Sequence, residues 1–310
     1  MRVFVTGGAG FIGSHVCEKL QQEGITTVLF DNLSTGANQI EGVQTIEGDV
    51  RNFDEVLSAM EDCTHIAHLA ALASVPASIE NPALSEAINL QGTINVIKAA
   101  KQVGIKRIVF SSTAAIYGNA TEMPVTEETM ANCQSPYAED KLAAEVAIFH
   151  SGIEAISLRY FNVHGPRQNP NGAYAAVIPS FIQMLMEGKS PTIFGTGVAT
   201  RDFVSVTDVA ALNFAALVTE NPAALGEVFN VASGTTISVI ELFTTLRGLL
   251  GEKESEITLI EPIFSPVREG DILHSSASID KARKLLKFNP ETDPHLALAA
   301  TVEAYWAERE

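Results

Sequence analysis

Over the first half of the chain, short runs of β-branched and other apolar residues alternate with longer stretches whose apolar positions recur every three or four residues. That alternation predicts parallel βαβ units, with buried strands covered by helices on both faces. Strands are expected at Val3–Thr6, Thr27–Asp31, Thr45–Glu47, His65–Leu69, Arg107–Ser111 and Ala155–Tyr160. Helices are expected near Gly10–Gln22, Phe53–Met60, Ser85–Val103 and Tyr137–Ser151. After about residue 162 the pattern loosens into Gly/Pro-rich loops, with a long helix at Tyr174–Glu187 and others near Thr207–Val218, Val239–Leu250 and Ile279–Leu286. The fold class is therefore α/β, a doubly wound parallel sheet with a smaller, interleaved α/β lobe at the C-terminal end. Residues 1–165 are expected to form the sheet domain, completed by parts of 204–235 such as Glu227–Ala232, and 166–310 mainly the second lobe.

Composition narrows the partners. The chain has 310 residues, 46% of them apolar, which suffices for a buried core. Its formal charge of −17 is spread along the chain, with no basic block to meet nucleic acid or an anionic membrane. The three cysteines, Cys17, Cys63 and Cys133, stand far apart with no paired spacing, which points away from a disulfide framework or a metal site. The first strand begins within two residues of Met1, leaving no room for a signal peptide, and no apolar run reaches about 20 residues. A cytoplasmic location is expected.

An open doubly wound sheet binds its ligand beyond the carboxyl ends of its strands, so motifs there carry the most information. At the first such end stands Thr6-Gly7-Gly8-Ala9-Gly10-Phe11-Ile12-Gly13, a strand, a glycine turn and a helix start. Gly7 permits a tight turn, Gly10 a close approach to a pyrophosphate, and Gly13 a close helix packing, while the helix N-terminus offers amide donors. Asp31 ends the next strand. A carboxylate there can accept from adenosine ribose hydroxyls and repel a 2′-phosphate, favouring NAD over NADP. It can also serve simply as a turn cap.

Tyr137 and Lys141 lie four residues apart in the helical run opened by Ser135-Pro136, which places them on one face. A lysine cation beside a phenol favours phenolate, and a cationic nicotinamide adds to that effect, making Tyr137 a candidate general base. Ser111-Ser112-Thr113 closes a strand at the same edge.

The spacing Gly7-x-x-Gly10-x-x-Gly13, with Asp31-Asn32-Leu33-Ser34-Thr35-Gly36, Gly48-Asp49-Val50-Arg51, His68-Leu69-Ala70-Ala71 and Thr113-Ala114-Ala115-Ile116-Tyr117-Gly118, resembles the extended short-chain dehydrogenase/reductase family, whose sheet is of the Rossmann type. The resemblance implies that the sheet domain binds NAD and the second lobe a nucleotide sugar. It implies that Phe11, Ile12, Asn32, Ser34, Thr35, Gly36, Asp49 and Val50 join the glycines and Asp31 around the adenosine and pyrophosphate. Leu69, Ala70 and Ala71 would line the path to the nicotinamide, with Tyr137 and Lys141 at its end.

By the same resemblance, Thr113 bridges the substrate hydroxyl and Tyr137, with Ser112 as a second contact. Relatives that eliminate water or decarboxylate carry acids after that strand end, where this chain has Ala114 and Ala115. Simple oxidation and re-reduction at one carbon is therefore expected, giving epimerisation at C4 of a UDP-hexose through a 4-keto sugar. Arg201 and Arg268 match diphosphate arginines, Asn162 an amide beside the diphosphate, Asp271 a ribose or uracil contact, and Phe194 the base-binding stretch. Ser74, Ala176, Val177 and Thr192 fall in runs similar to those of UDP-N-acetylglucosamine 4-epimerases. Ser275 occupies a gate where a small residue admits an acetamido sugar alongside glucose and galactose, unless it is merely a small loop residue. The alternatives are epimerisation of a UDP-uronic acid and a non-catalytic NAD-binding sensor. The resemblance also implies a homodimer, paired through the helices Ser85–Val103 and Tyr137–Ser151.

Overall fold

The computed structural model describes residues 1–170, 176–267, 273–290 and 292–309. The strands are β1 (Arg2–Thr6), β2 (Thr26–Asp31), β3 (Gln44–Glu47), β4 (His65–His68), β5 (Arg107–Thr113), β6 (Glu154–Tyr160), β7 (Asn162–His164), β8 (Thr192–Phe194), β9 (Thr200–Arg201), β10 (Phe203–Ser205), β11 (Glu227–Val231), β12 (Ile237–Ser238), β13 (Ile263–Ser265) and β14 (His274–Ser275). The α-helices are α1 (Phe11–Gln22), α2 (Phe53–Ala59), α3 (Val75–Glu80), α4 (Pro82–Glu86), α5 (Gly92–Val103), α6 (Pro136–Phe149), α7 (Val177–Met186), α8 (Val206–Val218), α9 (Val239–Gly251), α10 (Asp280–Leu286) and α11 (Pro294–Ala307).

Seven strands in the described residues form one parallel sheet, ordered β11-β6-β5-β4-β1-β2-β3. The order runs outward in both directions from the β1/β4 junction, which is where such sheets open a ligand crevice. Register brings Thr6 level with Phe30 on one side and His68 on the other, so Gly7, Asp31 and Leu69 emerge together at the carboxyl edge. One face of the sheet buries Val5, Leu29 and Val109 against α1 and α8; the other buries Phe4, Ile66, Ile108 and Phe110 against α2, α5 and α6. Strand β11 lies beside β6, and α8 packs against α1, so residues distant in sequence complete the first domain.

The second lobe has its own apolar core of Ile182, Leu185, Phe243, Leu246 and Val302, contributed by α7, α9 and α11. Around it lie short strands in three small sheets: β10 with β7, β12-β9-β14, and β13 with β8.

Three expectations change. The helix expected over Ser85–Val103 is broken into α4, a π-helical turn at Ala87–Gln91, and α5; the buried Asn89 within that turn accepts from Leu72 N. The helix expected at Tyr174–Glu187 runs from Val177 to Met186; Tyr174 and Ala175 lie outside the described residues. Helices α3 and α11 were not expected. Their buried faces carry small residues such as Ser78, Ala297 and Thr301, which blur the apolar periodicity. Among the described residues, no helix is long and apolar enough to cross a membrane, no group of side chains is placed to hold a metal ion, and Cys17, Cys63 and Cys133 are free thiols.

Candidate active site

A cavity of about 450 Å3 opens along the carboxyl edge, from Asp31 and Asp49 at one end to Ser112, Tyr137 and Lys141 at the other. Its floor is the glycine turn. Gly7 has φ +69°, a left-handed backbone that few other residues adopt. At Gly13 a Cβ would lie 2.0 Å from the Gly7 carbonyl oxygen, and at Gly36 one would lie 2.5 Å from that of Ala9. The three glycines thus hold the turn, the helix and the following loop in backbone contact. Gly10 caps α1 without a side chain, leaving the first-turn amides of a twelve-residue helix facing the cavity. That is an anion cradle suited to a pyrophosphate.

Asp31 both lines the cavity and holds its rim: one carboxylate oxygen accepts from Ala9 N at 3.0 Å and the other from Leu33 N at 2.9 Å. The cap leaves each oxygen a second lone pair with which to accept from a ligand. Asn32, Ser34 and Thr35 continue the rim; Asn32 donates to Asp49 at 2.9 Å and accepts from Ser34. Arg51 grips the Asp49 carboxylate through two nitrogens, holding it well below the usual carboxylate range. Val50 packs over Gly92 at the start of α5.

At the opposite end Tyr137 and Lys141 sit on one face of α6, as their spacing requires. The helix start is fixed twice: Ser135 Oγ accepts from Ala138 N at 3.3 Å, and Ser78 Oγ on α3 accepts from Tyr137 N at 3.1 Å. The Tyr137 hydroxyl is hydrogen-bonded to Thr113, which does not itself line the cavity. Burial pushes the Tyr137 phenol up to about 12 and the Lys141 ammonium down to about 7, because a low-dielectric setting penalises both charged forms. Lys141 Nζ lies 4.5 Å above the Phe110 ring, and with its ammonium pushed down, the expected contribution of a cationic nicotinamide to the phenol gains weight beside that of Lys141.

Ser112 bears on what fills this end. Its hydroxyl is buried, lines the cavity, and has no hydrogen-bond partner among the described residues. A buried hydroxyl in that condition costs about 1–3 kcal/mol unless a ligand completes it. The glycine cradle, the carboxylate at the rim, the orphaned hydroxyl and the Tyr137–Lys141 pair together fit a dinucleotide laid across the edge.

The structure gathers Leu69, Ala70, Ala71 and Ser74 into the same cavity, with Ser74 also capping α3. It places the other expected sugar-nucleotide residues elsewhere. Asn162, Arg201 and Ser275 come together around Asp202: Asn162 Nδ2 donates to its carbonyl, and Arg201 pairs with Ser275 between β9 and β14. Thr192 and Phe194 lie on β8, and Ala176 and Val177 open α7. Arg268 and Asp271 lie outside the described residues.

Four contributors escaped the sequence reading. Asn89 accepts from Leu72 N at 2.9 Å and so holds the cavity wall. Asn38 donates twice to the Ala9 carbonyl, pinning the glycine turn. His68 bridges Thr6 at 2.6 Å and Thr93 at 2.9 Å while Thr6 Oγ1 accepts from Ala70 N. Ser78 caps Tyr137. Buried polar residues within apolar runs were the available signal for Asn89 and His68.

With this geometry in place, known proteins can be set beside it. A model of the NAD dependent epimerase/dehydratase family matches residues 3–232. The chain is 38% identical, over 94% of its length and 94% of the relative's, to a putative UDP-glucose 4-epimerase of Methanocaldococcus jannaschii. Its structure superposes on that of Thermotoga maritima UDP-glucose 4-epimerase with UDP-glucose at a TM-score of 0.92, with 33% identity and complete coverage of both chains. It is similarly close to UDP-N-acetylglucosamine 4-epimerase from Methanobrevibacter ruminantium M1 in complex with UDP-N-acetylmuramic acid: TM-score 0.91, 35% identity, 99% of this chain and 98% of that one.

Proposed function

The chain belongs to the NAD dependent epimerase/dehydratase family, and we propose that within it the protein inverts C4 of UDP-hexoses, both UDP-glucose/UDP-galactose and their N-acetyl counterparts. The observation that carries this reading is the acid–base composition of the reacting end. Tyr137, bonded to Thr113, stands beside Lys141, and the residues after Thr113 are Ala114 and Ala115. The acids lining the cavity among the described residues, Asp31 and Asp49, stand past β2 and β3, with β1 and β4 between them and β5. With no carboxylate lining the cavity beside the phenol among the described residues, elimination is disfavoured and proton transfer at one carbon is favoured.

NAD, held when bound by the glycine cradle, would supply a reversible two-electron oxidant for C4 and, in its oxidised form, a positive charge. Tyr137 takes the C4 hydroxyl proton and later returns it; Thr113 keeps the phenol oxygen oriented toward that hydroxyl. Lys141, fully enclosed beneath the cavity, holds its charge more firmly when a ribose hydroxyl replaces lost water. Inversion requires the sugar to turn over while the nucleotide stays anchored, so firm contacts belong at the diphosphate and loose ones at the hexose. Arg201 suits the first role and Ser275, its strand neighbour, leaves space for the second.

Ile79 on α3 and Val146 on α6 are 59% and 49% exposed, which supports pairing of two copies through this side; sedimentation at micromolar concentration tests it. The central experiment mixes purified protein separately with UDP-glucose and UDP-N-acetylglucosamine and follows formation of each C4 epimer. Interconversion of both is expected. Absence of any epimer from protein with NAD bound would sink the proposal.

A further inference from the structure

Asp202 is completely buried, yet the chemistry just proposed assigns it no part. It follows Arg201 at the end of β9 and precedes β10, at the point where the second lobe meets the main sheet. One carboxylate oxygen accepts from Ser233 N at 2.7 Å and Ser233 Oγ at 2.8 Å, and the other from Gly234 N at 3.0 Å. Ser233 and Gly234 lie just beyond β11, the outermost strand of the main sheet. The Asp202 backbone is also engaged on both sides: its N–H donates to the Ser275 carbonyl at 3.0 Å, and its carbonyl accepts from Asn162 Nδ2 at 2.9 Å.

A single residue therefore ties together four separated segments. Two run out from the main sheet, through Asn162 and Ser233–Gly234, and two belong to the small sheet that carries Arg201 and Ser275. Strands β9, β12 and β14 are two residues each, and β9 continues through Asp202 into β10, which pairs with β7. Two-residue strands share few ladder hydrogen bonds, so a buried carboxylate receiving three donors adds strongly to what fixes their place.

We propose that Asp202 is a positioning residue for the nucleotide-sugar subsite: it locks the Arg201/Ser275 sheet to the end of the main sheet and so sets the distance between diphosphate anchor and reacting carbon. The proposal rests on the UDP-hexose reading above. The carboxylate is required because all three of its partners are donors. Asp202→Asn keeps the shape but turns an amide N–H toward a backbone N–H, so one contact becomes repulsive.

The test uses the NAD-loaded protein, comparing the wild type with Asp202→Asn and with the milder Ser233→Ala, which removes one of the three donors. UDP affinity by calorimetry, KM and kcat for a UDP-hexose, and bound NAD per chain are measured. Asp202→Asn is expected to raise KM and the UDP dissociation constant at least tenfold, with a smaller change in kcat and unchanged NAD content; Ser233→Ala should raise both about threefold. A general core role would instead lower NAD content and kcat with KM unmoved, and that result overturns the proposal. Should Asp202→Asn fail to fold, Ser233→Ala decides, and wild-type KM and UDP affinity in it reject the idea. Failure of wild-type turnover with UDP affinity still dependent on Asp202 rejects the epimerase reading and leaves the lock standing; a wild type that neither turns over nor binds UDP rejects both.

Discussion

The sheet domain positions its part of the site with backbone, whereas the second lobe positions its part with side chains. In the first, Gly7, Gly10, Gly13 and Gly36 bring main-chain atoms into contact, and six neighbouring parallel pairings fix where each strand ends. In the second, strands of two residues carry Arg201 and Ser275, and the hydrogen bonds of Asp202 tie them to Asn162 and Ser233 at the end of the main sheet. A site held by backbone tolerates little change in what it binds, which suits a cofactor common to every turnover. A site held by a few polar contacts can differ in shape through single substitutions, which suits the part that selects the sugar.

Substitutions can separate these two modes. The largest effect is expected where they meet: Tyr137→Phe should lower kcat about a thousandfold by removing the proton carrier, while bound NAD and KM change little. Loss of NAD in that variant would show that the phenol belongs to the cofactor cradle rather than to the chemistry.

The next effect lies within the sheet domain. His68 is fully buried, and burial pushes its imidazole down to about 3. The unfolded chain takes up a proton near pH 6.5 that the folded chain refuses, so this contribution is complete above pH 6.5 and is lost as the pH falls toward 3. Between pH 7 and pH 5 the wild type should lose about 2 kcal/mol more stability than His68→Gln in urea titrations. Equal losses would mean that the imidazole does not stay neutral between Thr6 and Thr93.

The smallest effect belongs to the lobe. Ser275→Tyr should reduce kcat/KM for UDP-N-acetylglucosamine roughly tenfold relative to UDP-glucose, because a ring at the gate meets the acetamido group. An equal reduction for both sugars would remove Ser275 from the selection of substrate.

The same contrast explains what could be read from sequence. Strand and helix periods, the glycine spacing and the Tyr137–Lys141 interval are local signals, and each corresponds to an element or contact in the sheet domain. Elements with small buried residues were not legible: α3 hides behind Ser74 and Ser78, and α11 behind alanines and Thr301. The bonds of Asn89 to Leu72, Asn38 to Ala9 and Asp202 to Ser233 join positions 17, 29 and 31 apart, which no periodicity records. The burial of the reacting pair is likewise absent from the sequence: spacing shows that two groups are neighbours but not how much water each retains.

The bond from the Tyr137 amide to Ser78 carries a consequence for anyone reshaping this pocket. Helix α3 is capped by Ser74, in the same wall segment that lines the cavity from Leu69 to Ser74, so the wall and the support of the reactive phenol are one piece of chain. Redesign of residues 71–76 to admit a different sugar would therefore disturb the alignment of the phenol as well as the volume of the pocket. Ser275 stands on β14, a separate piece of chain, so a substitution there leaves the support of the phenol untouched.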